Sequence, residues 1–502
     1  MDVKAYFRFL RLLDCYAERG NHRRNKKKIM KYLNFQKLLL VFGLLFAIIN
    51  ESNAQFLRTS YFMEGSHYRQ QLNPALTPGR GYLNLPVIGT LNASVNSSSL
   101  GYQDVMDIID NSEGSDFFMS SDFINRLENV NNLNVNVSTD ILSAGWYKGK
   151  NFWSFNIGLR NDIGASIPKS MFEFLRNMDG LQVDDWKRLS DINERVGAQS
   201  LEINSYAEIG VGFARNINSR LTVGGRVKAL LGIGNLKLDI NNITVTSNLT
   251  GYEGVDWDNL TPEQVNNLRG NAEIKVDATL ENSSKLIELS EHDGVIDEIE
   301  FGSFGLAGYG LGIDLGASYK VMDKLTVSAS ILDLGFMKWS KKNTSVAKAS
   351  AHEQYNLTNP SEAYDFVEMV SSGEVLNFDM LNMGLEQSAE KDRSTSLTST
   401  LVLGAEYELL GDWLAVGALY TARFIKPETL NELTFSANIR PKNNLNLAVS
   451  YSVLQGAGKT FGLAAKLGPL FVGTDYMFFG KNTKNLNAYL GFSIPLNKQK
   501  VK

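Results

Sequence analysis

Residues 445–453 read Leu-Asn-Leu-Ala-Val-Ser-Tyr-Ser-Val. Leu445, Leu447, Val449, Tyr451 and Val453 share one parity, and Asn446, Ala448, Ser450 and Ser452 share the other. Successive side chains of a strand point to opposite faces, so the stretch predicts a β-strand with one apolar and one polar face. The last such stretch repeats the pattern, with Leu486, Ala488, Leu490, Phe492 and Ile494 opposite Asn487, Tyr489, Gly491 and Ser493. A tilted strand needs only about 9–11 residues to cross a bilayer.

Related alternation recurs near residues 85–98, 133–148, 151–163, 202–216, 220–238, 306–320, 324–340, 396–409, 412–425, 431–440, 460–467 and 469–478, which makes 14 segments. Their connections alternate in length. Short ones are Gly149-Lys150, Asn216 to Ser219, Met322-Asp323, Leu410-Gly411, Pro441-Lys442 and Gly468. Long ones cover 99–132, 164–201, 239–305 and 341–395, and shorter connections near 426–430, 454–459 and 479–485 fall on the same side. A soluble sandwich has no reason to sort its loops by parity. Transmembrane barrels do, joining an even number of strands by short periplasmic turns and longer external loops. Closure follows from the solvent, since lipid offers no partner to a free sheet edge. The fold expected is an all-β, transmembrane, antiparallel up-and-down β-barrel of about 14 strands.

Composition agrees. The 502 residues hold 43 Gly, only 10 Pro and 10% aromatics. A mean hydropathy of −0.16 excludes a helical membrane bundle but not a barrel, whose strands turn half their side chains to a polar lumen. No stretch after residue 55 approaches 18 apolar residues.

Residues 38–49, LLLVFGLLFAII, follow Lys31 and Lys37 and precede Ser52 and Ala54. This is the layout of a signal peptide cleaved after Ala54. Twelve apolar residues are too few for a membrane helix, which needs about 20. The 29 residues before Met30 are long for an n-region, and Met30 would serve as an ordinary start. Residues 1–54 thus read as an N-terminal extension plus signal peptide, 55–80 as a plug-like segment, 81–496 as the barrel and 497–502 as a periplasmic tail. Export would deliver the chain to the outer membrane.

Residues 1–54 carry 11 Lys and Arg against 4 Asp and Glu, leaving 39 against 50 and a net charge of −11 in the remainder. The remainder is net acidic, so no nucleic-acid partner is expected. The only cysteine, Cys15, precedes the cleavage site, which rules out disulfides and thiol chemistry beyond it.

The apolar faces include Val211, Phe213, Leu311, Ile313, Leu315, Leu403 and Phe435. Charges take the opposite parity: Glu208, Arg226, Lys228, Asp314, Glu406 and Arg423. Both signs facing one lumen make either a selectivity lining or lumen-filling ion pairs. Trp146, Tyr147, Trp153, Tyr319, Trp339, Trp413 and Tyr451, near strand ends, suit an aromatic girdle. One strand slips parity. Leu325, Val327, Ala329 and Ile331 are followed by Leu332, Leu334 and Phe336 around Asp333, which predicts a β-bulge or kink.

Helical patterns at 169–177 and 362–371, and a helix start at Thr261-Pro262-Glu263-Gln264, predict small helices on the external loops. The acidic run 288–300 lacks EF-hand spacing and reads as a solvated face. His67, His292 and His352 lie far apart without metal-ligand spacing. No nucleophile elbow, Walker loop or HExxH is present. The residues therefore point to no enzyme, cofactor or metal.

The segment Gln71-Leu72-Asn73-Pro74-Ala75-Leu76 resembles the Asn-Pro-Ala element near the mature N-terminus of FadL-like barrels, and that of PorV-type shuttle barrels. Gly312-Ile313-Asp314-Leu315-Gly316-Ala317, followed by Leu332-Asp333-Leu334-Gly335 and Trp339, is similar to that superfamily's internal pattern. The Ser-Asn-Ala-Gln cleavage style is similar to that of a Bacteroidota family of such barrels without an assigned function. The resemblance covers most of residues 55–502 and implies a 14-stranded barrel with an N-terminal segment plugging the lumen. It makes Asn73, Pro74 and Ala75 candidate lumen residues beside the charges already named. It carries over no ligand, because that family's pocket is apolar and no residue-by-residue match to one is present. Three readings stay open: passage of small hydrophobic compounds across the outer membrane, a non-transporting barrel that docks or shuttles envelope or secreted proteins, and, as the least favoured, an enzyme at the barrel rim. The partners expected are outer-membrane lipid and either a hydrophobic small molecule or another envelope protein.

Overall fold

Antiparallel pairing runs around a closed ring. The computed structural model describes residues 58–84, 90–99, 120–182, 185–251, 269–292, 294–371, 383–386, 392–411, 413–424, 429–442, 445–454, 460–476 and 484–498, with 101, 104 and 267. The expected signal peptide, its cleavage site and Cys15 lie outside these residues, as does the helix start expected at Thr261.

In chain order the strands are β1 (Arg80–Asn84), β2 (Thr90–Ser97), β3 (Val130–Lys148), β4 (Asn151–Pro168), β5 (Asn193–Val196), β6 (Gln199–Asn216), β7 (Leu221–Thr250) and β8 (Arg269–Ser284). There follow β9 (Ile287–His292), β10 (Val295–Phe301), β11 (Gly308–Met322), β12 (Leu325–Trp339), β13 (Thr344–Asn356), β14 (Gly384–Leu385) and β15 (Arg393–Ser396). The last are β16 (Thr400–Glu408), β17 (Leu414–Arg423), β18 (Leu430–Lys442), β19 (Leu445–Leu454), β20 (Thr460–Leu467), β21 (Leu470–Thr474), β22 (Asn485–Phe492) and β23 (Ile494–Lys498). The helices are α1 (Ser121–Arg126), α2 (Lys169–Met178), α3 (Trp186–Leu189) and α4 (Pro360–Ser371).

The fourteen staves of the barrel are β1 with β2, then β3, β4, β6, β7, β11, β12, β15 with β16, and β17 to β21, ending in β22 with β23. The ring shuts where β22 pairs with β2, from Thr90↔Gly491 to Asn96↔Asn485, and where β23 pairs with β1. Tight turns sit at one end, and Gly149 and Gly468 take φ of 63° and 60° there, a region that glycine enters without penalty. Outside the wall, Val211, Leu311, Leu315, Val449 and Leu490 are exposed in a continuous apolar band. Glu208, Lys228 and Asp314, on the other parity, are buried in the lumen. A wall that is apolar outside and charged inside is the inverse of a soluble barrel and identifies one that spans a membrane. No described helix is long and apolar enough to cross.

The expected slip in β12 is a bulge. Ile313 faces Leu334 and Leu315 faces Ile331, so Leu332 and Asp333 together stand against Asp314. Asp333 takes a φ of 57°, the one non-glycine residue with positive φ among the described residues. Leu332 turns inward and is buried, and Leu334 resumes the outward row.

The long loops correct the sequence reading. They carry the expected helices at Lys169–Met178 and Pro360–Ser371, but sheet dominates two of them. β7 runs 30 residues. It pairs with β11 only as far as Gly232↔Gly308, and from Gly234↔Ser284 onward it pairs with β8. β8 then pairs with β13, β13 with β14, and β5 flanks β7 on the other side. The result is a leaf of sheet beyond the barrel mouth. It has a core of its own, in which Ile243, Ile274, Leu280, Phe366 and Val370 are buried, and Tyr355 on β13 packs on Phe366 of α4.

Candidate functional site

The lumen is built in three tiers. Residues 58–77, coiled as two 3-10 turns, Arg58–Ser60 and His67–Gln71, fill the lumen from Glu432 and Asp475, at the long-loop ends of β18 and β21, down to Arg440 at the short-turn end of β18. Tyr61, Phe62, Met63, Tyr68, Leu72 and Leu76 are buried against Leu332, Val402, Leu419, Ala448, Phe471 and Tyr489 of the wall. Burying so much apolar surface holds the segment strongly, at roughly 25 cal/mol per Å². Polar bonds fix its orientation. The N–H groups of Arg58 and Thr59 donate to the Asp475 carboxylate at 3.2 and 2.7 Å. Arg58 pairs with Glu432 as well. Arg440 donates to the carbonyl of Phe62 at 2.8 Å and pairs with Glu406, while Gln71 Nε2 donates to Asp140 at 2.7 Å.

Asn73, Pro74 and Ala75 sit in this plug against the β7–β11–β12 wall. Asn73 Nδ2 donates to the carbonyls of Ala317 at 3.3 Å and Ala329 at 3.2 Å, and its Oδ1 accepts from the Ala75 N–H at 2.9 Å. The side chain thus reads two neighbouring strands while closing its own turn. A Cβ at Gly224 would come within 2.6 Å of the Pro74 carbonyl, and one at Gly316 within 3.0 Å of the Pro74 ring. Those two glycines make the seat in which the Asn-Pro-Ala turn rests.

The middle tier is a closed network of charge. Lys228 Nζ lies 2.7 Å from Asp314, 2.6 Å from Asp333 and 4.0 Å from Glu208. Arg226 meets Asp314 at 2.7 Å. Arg160 bridges Asp140 at 2.9 Å and Glu208 at 3.4 Å, and Asn156 donates to Glu208 at 2.8 Å. The Asp333 N–H, turned inward by the bulge, donates to Asp314 at 2.8 Å. Every charged member has an opposite partner, as burial requires. The charges expected at these inward positions are therefore paired with one another. A cavity of about 100 Å³ lies beside Tyr206, Arg160 and Asp333, and one of about 20 Å³ lies between the plug and Asp140, Asn156 and Arg226.

The third tier is a vestibule of about 1390 Å³ at the long-loop end, lined by Asn134, Gln199, Glu202, Asn204, Lys237 and Arg423 among others. Its walls mix amides, hydroxyls and charges with aliphatic side chains such as Val135, Ile163, Leu201 and Ile240. Arg423 pairs with Asp162 at 2.8 Å at its floor.

The sequence-derived candidates thus separate. Glu208, Arg226, Lys228, Asp314 and Asp333 meet in one network. Asn73, Pro74 and Ala75 dock below it. Glu406 belongs to the plug through Arg440, and Arg423 belongs to the vestibule floor. Sequence reasoning missed Asp140, Arg160, Arg440 and Asp475. Arg160 shares the inward parity of Glu208's partners, so the alternation of β4 already carried that signal. Among the described residues no group of acidic or histidine side chains is placed to hold a metal ion.

Solved structures of similar plan include the toluene transporter TbuX of Ralstonia pickettii, 9% identical, covering 86% of this chain and 95% of that one at a TM-score of 0.38. A FadL homologue of Pseudomonas aeruginosa is 9% identical, with coverages of 86% and 93% and a TM-score of 0.35. The toluene transporter TodX of Pseudomonas putida is 10% identical, with coverages of 88% and 93% and a TM-score of 0.31. Likeness at these scores brings nothing about cargo to this chain. No curated protein matches the sequence. A family model does, over residues 74–475, from the Asn-Pro-Ala turn to the aspartate that holds the plug: the chain belongs to the family of unknown function DUF5723.

Proposed function

We propose that this chain is a plugged outer-membrane barrel that docks another envelope or secreted protein on its extracellular sheet, and does not conduct. The observation that carries the reading is the lumen's second tier. Above an already seated plug, seven charged groups close on one another, and the space around them is polar and small. An apolar compound would have to break that network to pass, leaving buried carboxylates unpaired. The leaf built on β7, β8 and β13 has its own core, which is more than a loop needs in order to join two staves.

A second reading, passage of small hydrophobic compounds, draws on the plug itself. Its wall-facing side is apolar, so a displaced plug would leave an apolar-lined route past Leu332, Leu419 and Phe471.

One experiment separates the two. The purified barrel is placed in vesicles, and uptake of toluene and of a long-chain fatty acid is followed beside protein capture from native membranes, with and without the leaf (residues 234–301 and 344–386 replaced by short turns). Docking predicts no uptake and a specific captured protein that is lost with the leaf. Uptake above that of a plug-locked disulfide variant would reject docking as the primary role.

A further inference from the structure

The outer wall near the leaf carries a patch that neither the lumen nor the docking reading uses. Tyr309 and Tyr319 both face outward on β11, ten residues apart. At about 3.3 Å per residue and a tilt near 40° they stand roughly 25 Å apart along the membrane normal, the height of a barrel's apolar band. Tyr309, 59% exposed, therefore marks the outer edge of the hydrocarbon, with Leu311, Ile313 and Phe336 exposed beneath it. Just above lies the strap 302–307. Gly302 N–H donates to the Leu286 carbonyl at one end, and Ala307 N–H donates to the Gly232 carbonyl at the other. Phe301, Phe304 and Leu306 stand out from it, 69%, 77% and 48% exposed.

Cations surround this strap. Lys338 is the register partner of Tyr309. Ser283↔Thr344 pairing brings Lys285 beside the 3-10 turn Lys341–Asn343, and the Lys285 stem lies over Gly305. Lys285, Lys341 and Lys342 are exposed. Among the described residues, only Lys338 of the four forms an ion pair, with Asp392 at 3.2 Å. Asp392 also accepts the Lys341 N–H, and Glu288 faces Gly302. Glu300 stands opposite Glu288 on the paired strand, one residue before Phe301. Exposed aromatics with lysines at a membrane's polar boundary match an anionic lipid surface, apolar groups below and charge above.

We propose that this rim is a binding site for the phosphorylated headgroup of an outer-leaflet glycolipid. Lys285, Lys338, Lys341 and Lys342 hold the phosphates, Phe304 and Leu306 wedge beside the sugar, and acyl chains lie on Leu311, Ile313 and Phe336. The site rests on the membrane-spanning reading of the barrel and is independent of what the leaf docks. Continuity with the lipid-facing band selects lipid as the occupant, because a protein partner here would have to displace it.

The test is native mass spectrometry of the full mature chain released from detergent, titrated with bisphosphorylated lipid A, dephosphorylated lipid A and phosphatidylethanolamine. The expected result is about tenfold preference for the bisphosphorylated lipid, falling to within about twofold in K285Q/K341Q/K342Q. Heat-modifiable gel migration reports folding, and K285Q alone, with a partial loss, serves where the triple variant misfolds. Equal binding of the dephosphorylated lipid, or undiminished preference in the variants, overturns the site. Failure of the wild-type chain to insert into vesicles overturns the membrane reading and the site together.

Discussion

Lys228 on β7 reaches past Gly312 of the neighbouring strand to Asp333 on the strand beyond, at 2.6 Å. The lysine stem runs over Gly312, 3.6 Å from where a Cβ would stand, which is ordinary contact distance. One ammonium thereby ties three adjacent staves and answers Asp314 and Asp333 at once. Replacing it with an apolar group of similar length leaves Asp333 without its cation and Asp314 with Arg226 alone. Lys228→Met is expected to destabilise the barrel by about 3–5 kcal/mol. Urea unfolding followed by loss of heat-modifiable migration measures this, and an unchanged midpoint would contradict the account.

Asp333 combines two demands, a positive φ and a charge. Asn tolerates the backbone but drops the charge, and a β-branched residue meets neither demand. Asp333→Asn should cost clearly less than Asp333→Val, with the strain alone accounting for about 1–2 kcal/mol of the difference. Equal losses in the two variants would show that the bulge conformation is not constrained.

The plug depends on Asn73 and on the two glycines that seat it. Asn73→Ala removes its bonds to the part-buried carbonyls of Ala317 and Ala329, each loss costing about 0.5–1.5 kcal/mol. Gly224→Val puts branched carbon where the Pro74 carbonyl sits. Both variants should expose residues 58–77 to added protease while the fourteen staves persist. Persistent protection of the plug in Gly224→Val would refute the seat.

The leaf should melt on its own. Phe366 is fully buried between α4 and β13, and Phe366→Ala is expected to cost about 3–5 kcal/mol locally. Limited proteolysis ought to cut within 344–371 while the barrel retains its folded migration. Simultaneous loss of both would mean that leaf and barrel form one cooperative unit.

Alternation made the barrel legible because burial on one face is a local property of each strand. The displaced parity around Leu332 even located the bulge. The leaf was hidden by the argument that found the barrel. Ala272, Ile274, Val276, Ala278 and Leu280 alternate as clearly as any stave, yet they fall in a connection that parity assigns to loop. The lumen was half legible. Inward parity selected Glu208, Lys228 and Asp314, but nothing local announces that Arg58 meets Glu432 or that Thr59 meets Asp475. Those contacts join residues some 400 positions apart, such as Thr59 and Asp475, separated by 416.

That separation has a temporal meaning. The plug is synthesised before any stave, and the groups that hold it, Arg440, Asp475 and Tyr489, are among the last. Until β23 meets β1 the first segment of the chain has no finished chamber to enter, so its apolar side must wait uncovered or shielded by a helper. Contacts of such span make for slow folding. Closing the ring and seating the stopper are then a single late event, and a chain truncated before β21 would be left with both ends of that event undone.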